Sequence, residues 1–105
     1  MYIAINRFKI ARGQESRFEE IWRNRQSYLD DVPGFIEFKL LRGAPGEDVT
    51  VFLSHSLWES EQAFADWTRS EAFALAHRQA RSPEGVLVGH PQFEGFATVD
   101  LSPDR

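Results

Sequence analysis

The stretch Tyr2-Ile3-Ala4-Ile5-Asn6-Arg7-Phe8-Lys9-Ile10 decides the fold. Its β-branched and aromatic content reads as a strand, with Tyr2, Ala4, Asn6, Phe8 and Ile10 on one face and Ile3, Ile5, Arg7 and Lys9 on the other. Apolar residues stand on both faces, so the strand needs cover on two sides: helices against one and another sheet against the other. Asn6 is the exception within its own face, an amide between Ala4 and Phe8 where an apolar side chain is the ordinary choice.

After Gly13 the chain takes up helical spacing, with Phe18, Ile21, Trp22 and Leu29 on the apolar stripe and Glu19, Glu20, Arg23 and Asn24 turned outward. Pro33-Gly34 punctuates it. Phe35 to Leu41 reads as a second strand, and the turn-rich Gly43 to Asp48 joins it to a third from Val49 to Trp58, predicting a hairpin. Ser60 is placed to cap a second helical region carrying Ala63, Phe64 and Trp67, and Ser70 is placed to begin a new turn carrying Phe73, Ala76, His77 and Ala80. Arg81 to Pro91, with two glycines and two prolines, reads as a mobile loop, and Gln92 to Leu101 as a fourth strand.

This β-α-β-β-α-β order is the split unit of the ferredoxin-like fold, an antiparallel sheet of the α+β class with helices on one face. The uncovered face predicts a homodimer in which two sheets pack together. Residues 1–105 form a single domain by size. Nine phenylalanines, three tryptophans and two tyrosines are many for such a chain and fit a second buried surface, whether subunit interface or ligand pocket.

Composition removes several function classes. A formal charge of -4 with no run of lysine or arginine gives no footprint for nucleic acid or for an anionic membrane. Cysteine is absent, which excludes disulfides, thiolate nucleophiles and iron–sulfur ligation and suits a reducing cytosol. No basic leader or long apolar run appears, so the expectation is a soluble, cytoplasmic protein. Gly-x-Gly-x-x-Gly, P-loop and Gly-x-Ser-x-Gly patterns are missing too, so the chain offers no nicotinamide, flavin or nucleotide site of its own and no serine-hydrolase elbow.

Asn6 in Ile5-Asn6-Arg7, Trp67 after Asp66, and His77 at the end of Ser70-Glu71-Ala72-Phe73-Ala74-Leu75-Ala76-His77 together resemble the IsdG-type haem-degrading monooxygenases of the antibiotic biosynthesis monooxygenase superfamily. The resemblance runs across nearly the whole chain. It implies a dimeric α+β barrel in which haem is both substrate and cofactor, is opened to a linear tetrapyrrole by dioxygen with electrons from an external reductase or small reductant, and gives up its iron for acquisition.

Under that resemblance His77 is the axial ligand to haem iron, with Phe73 one turn before it and Ala76 and Ala80 small enough to admit a porphyrin. Trp67 presses on the ring and ruffles it. Asn6 donates its amide to the ligand on the distal side of the iron. Trp22 is a pocket wall, and Arg25, three positions on, reaches a propionate or a distal water.

Each residue also has a structural reading. A helix-end histidine caps carbonyls, a tryptophan on a stripe fills a core, a strand asparagine bonds to backbone, and Arg25 sits in solvent. On one unbroken helix the ten residues from Trp67 to His77 span about 15 Å and about 80° of rotation, so both meet one ligand only if it is large and flat, and a break near Ser70 brings them closer. His55, in phase with Val51, Leu53 and Leu57, reads as a satisfied interface or core histidine, and His90 as an exposed substitute ligand. Two other functions compete: a cofactor-independent monooxygenase acting on a quinol or polycyclic phenol, and a haem carrier without turnover.

Overall fold

A computed structural model describes residues 1–24, 29–79 and 84–102, with the backbone alone for 77–79. The elements run β1 (Tyr2–Ala11), α1 (Glu15–Asn24), β2 (Phe35–Pro45), β3 (Val49–Trp58), α2 (Glu61–Thr68), α3 (Glu71–Gln79) and β4 (Gln92–Ala97). One antiparallel sheet in the order β2-β3-β1-β4 carries the helices on a single face, the ferredoxin-like arrangement the sequence predicts. Among the described residues no helix is long and apolar enough to cross a membrane.

Local chemistry starts and stops these elements. Ser60 caps α2 by accepting from the Ala63 N–H at 3.1 Å. Ser70 then divides the second helical region as expected: its hydroxyl donates to the Trp67 carbonyl at 2.6 Å, at the end of α2, and accepts from the Phe73 N–H at 3.2 Å, in the first turn of α3. Gly34, at φ 82°, opens β2 beneath α2, where a Cβ would stand 2.5 Å from that of Ala63. Only glycine fits both demands.

Two apolar clusters lie between sheet and helices. One gathers Tyr2, Ala4, Leu29, Trp58 and Trp67 under α2 and α3, and the other gathers Ile10, Phe18, Phe52 and Val86 under α1. Leu29 joins the first cluster after α1 has ended at Asn24, and residues 25–28, Arg25 among them, lie outside the described residues.

Two expectations need correction. β4 stops at Ala97, not Leu101, and Thr98 beyond it is tied to Met1, its N–H donating to the Met1 carbonyl at 2.9 Å and its hydroxyl accepting from the Met1 ammonium at 3.0 Å. Within 81–91, the described part from Glu84 onward is tied down: Val86 is fully buried, its carbonyl accepts from Ala11 N–H at 2.9 Å, and Val88 N–H donates to Lys9 at 2.8 Å. Glycines shape this strap without freeing it. His55 lies on the uncovered face, and among the described residues its buried Nδ1 has no hydrogen-bond partner.

Candidate active site

Cross-strand register builds the site from its floor. The middle row of the helix-covered face reads Phe93, Asn6, Ser54, Leu40 across β4, β1, β3 and β2. Two polar side chains thus stand side by side between apolar ends, and the apolar clusters lie above and below them. Asn6 is half-buried and Ser54 is 6% exposed. Among the described residues neither side chain makes a hydrogen bond.

Neighbouring hydroxyls on β3 behave differently. Thr50 Oγ1 donates to Glu15 Oε2 at 2.8 Å; Ser56 Oγ donates to the Ala4 carbonyl at 3.4 Å and accepts from Trp58 Nε1 at 2.9 Å. The Glu15 carboxyl is held down to about pKa 2 by its own backbone N–H, by Thr50, by the Gly13 N–H and by the nearby Arg12 guanidinium, against the opposing effect of burial. This cluster anchors the start of α1 and is structural.

Aromatic walls rise from the floor on two sides. On the α2–α3 side Phe93 stacks on Phe64 with centroids 5.5 Å apart, Phe64 touches Trp67 at 6.2 Å, and Trp67 meets Phe73 edge-on at 4.8 Å. On the α1 side Trp22 meets Phe8 edge-on at 5.9 Å and stacks on Phe38 at 5.5 Å. Beyond Trp22, toward β2, lies an open cleft of 480 Å³ bordered by Glu19, Arg23, Phe38, Leu40, Arg42 and Phe52.

The structure therefore brings Trp67 and Phe73 together and sets Asn6 beneath the wall they extend. Trp67 itself is 9% exposed and also packs on Trp58 at 5.4 Å, so it is a core residue as well. Trp22 stands on the opposite wall. The backbone of α3 runs through His77, whose side chain lies outside the described residues, and His90 is exposed. Ser54 and Phe93 escaped the sequence reading; the signal for both is their register with Asn6.

The family described as antibiotic biosynthesis monooxygenase matches residues 1–79. The chain belongs to that family. Within the antibiotic biosynthesis monooxygenases it is 32% identical over 92 residues, 88% of this chain and 86% of the relative, to a mycobilin-producing heme oxygenase of Mycobacterium tuberculosis. Its fold is similar to that of the heme-degrader MhuD of the same organism, solved with two hemes in its active site, at TM-score 0.72 and 25% identity over 97% of this chain and 100% of that one. It is also similar to SnoaB, a cofactor-independent oxygenase from Streptomyces nogalater, at TM-score 0.68 and 18% identity over 97% and 96% of the two chains. The first two likenesses match the IsdG-type resemblance carried by Asn6, Trp67 and His77.

Proposed function

We propose that this antibiotic biosynthesis monooxygenase degrades haem. The observation that carries the reading is the Asn6 carboxamide, left without a partner between two aromatic walls, in a chain that shares 32% identity with a heme oxygenase. A half-buried, solvent-accessible amide with no protein partner among the described residues is available to a ligand that is flat, apolar and in need of one hydrogen-bond donor. Haem has those properties.

In this reading haem is the substrate and supplies both the iron that activates dioxygen and the porphyrin carbon that is attacked. His77, on α3, provides an imidazole for the iron. Trp67 presses on the porphyrin and is braced by Phe64, Trp58 and Phe73, so its indole resists displacement. Asn6 would offer its amide N–H to the ligand carried by the iron, and the walls would exclude water from the reacting carbon. Arg25, outside the described residues, would serve a propionate or a distal water, and Trp22 supports the α1 wall. Electrons come from a separate reductase or small reductant, and the released iron serves acquisition.

A homodimer accompanies this function. The sheet face away from the helices carries half-buried Ile3, Ile5, Leu53 and Leu57, together with Leu41 and Phe96, which are 41% and 48% exposed. The buried, unpartnered Nδ1 of His55 lies on the same face. Two copies packed sheet to sheet would cover all of it.

The second reading, a cofactor-independent oxygenase of a phenolic substrate, draws on the likeness to SnoaB and on the core packing of Trp67, which needs no haem to explain it. Haemin titration separates the two. Stoichiometric uptake with a sharp Soret band that is lost in His77→Ala, followed by bleaching under ascorbate, oxygen and catalase, supports haem degradation. No stoichiometric uptake favours the phenolic oxygenase, and uptake without bleaching makes the protein a carrier.

A further inference from the structure

We infer that Ser54 is the positioning residue for Asn6: as a ligand engages, one χ1 rotation lets its hydroxyl donate to the carboxamide oxygen of Asn6 and so hold the amide N–H toward that ligand. This rests on the reading of Asn6 given above and assigns a role to a residue outside the Asn6, Trp67 and His77 trio.

Three observations lead to it. Ser54 is the register partner of Asn6 on the antiparallel β3, where facing Cβ atoms lie about 4.5–5.5 Å apart, within reach of a hydrogen bond after a single χ1 rotation. The remaining members of the row, Phe93 and Leu40, are apolar, so each of the pair is the other's only polar neighbour in that row. Nearby polar groups are already engaged: Ser56 holds Ala4 and Trp58, and Arg42 Nη1 donates to Glu19 at 2.8 Å. Ser54, 6% exposed, is left with a hydroxyl that no described residue uses.

The chemistry supplies the role. A carboxamide presents an acceptor on one end and donors on the other, and a half-turn about its last bond exchanges them. With apolar neighbours alone, Asn6 has no reason to prefer the orientation that offers N–H to a ligand. A hydroxyl donor against its oxygen holds that orientation once the ligand engages the N–H, which supports the site from beneath without a bond in the free protein.

The test uses haemin-loaded ferric protein and azide as the probe for donation from Asn6, read in the Soret band. Ser54→Ala is expected to weaken azide about three- to tenfold, the usual value of one hydrogen bond. Asn6→Ala weakens it at least as much, the double variant is no worse than Asn6→Ala, and Ser54→Thr stays near wild type. Without haemin, the thermal midpoints of Ser54→Ala and Ser54→Val are expected at or above that of wild type, since no protein partner is lost. An unchanged azide affinity in Ser54→Ala, an equal loss in the Asn6→Ala background, or a midpoint several degrees below wild type would overturn the inference while leaving haem binding intact. Wild-type protein that takes up no haemin overturns the functional reading and this inference with it.

Discussion

One end and the middle of one strand pair handle polar groups in opposite ways. Where Ile10 faces Thr50, the hydroxyl of Thr50, the carboxylate of Glu15, the N–H of Gly13 and the guanidinium of Arg12 are joined, and the adjoining cluster of Phe18, Phe52 and Val86 is almost wholly shielded from solvent. Four residues along β1, where Asn6 faces Ser54, two polar side chains have no hydrogen-bond partner among the described residues. Polar groups that serve folding are saturated, because an unpaired buried donor or acceptor subtracts from stability. Among the described residues Asn6 and Ser54 have no such partner, which leaves them available to a ligand.

The comparison makes graded predictions. Phe18→Ala should cost most, about 3–5 kcal/mol in urea denaturation, because Phe18 is 1% exposed and touches Phe8, Trp22 and Phe52. A loss below about 1 kcal/mol would mean the α1 end is not the closed core it resembles.

Thr50→Val should lower the thermal midpoint clearly at neutral pH, by removing a buried donor to Glu15. The pH dependence has a fixed sign. Glu15 titrates near 2 in the folded chain against an ordinary 4.5, so its contribution is complete above 4.5 and disappears as pH falls toward 2. The stability gap between wild type and Glu15→Gln should therefore narrow over that window, and a gap that widened on acidification would refute the assignment.

Asn6→Leu should fall within about 1 kcal/mol of wild type, or above it, while haemin turnover is lost. A strongly destabilised Asn6→Leu would place Asn6 with the structural polar groups and erase the contrast. The smallest effect is expected on the uncovered face: His55→Leu should tighten self-association modestly in sedimentation, since it replaces a buried unpartnered nitrogen.

Much of the architecture could be read directly. Alternation in Tyr2 to Ile10 located β1, Ser60 marked the start of α2, and Ser70 marked the joint before α3. The strap at Val86 was illegible because its burial depends on distant residues of β1 and α1, whereas its glycines and proline are local and suggest a loop. Ser54 was missed for a related reason. On β3 the apolar residues Val51, Leu53 and Leu57 fall on one face, so the hydroxyls of the other face look solvent-directed until α1, α2 and α3 are laid over them. Asn6 alone was conspicuous, since an amide among apolar neighbours violates its strand's own pattern.

The Ser70 oxygen closes one helix on Trp67 and opens the next on Phe73. Helix propensity therefore has little say in the course of the chain here: a single side-chain atom acts as a hinge pin, and the span that begins at Trp67 and carries His77 is two short rods, not one long one. Removing the pin by Ser70→Ala would let the pair fuse or splay, altering the separation of their far ends while every aromatic kept its identity.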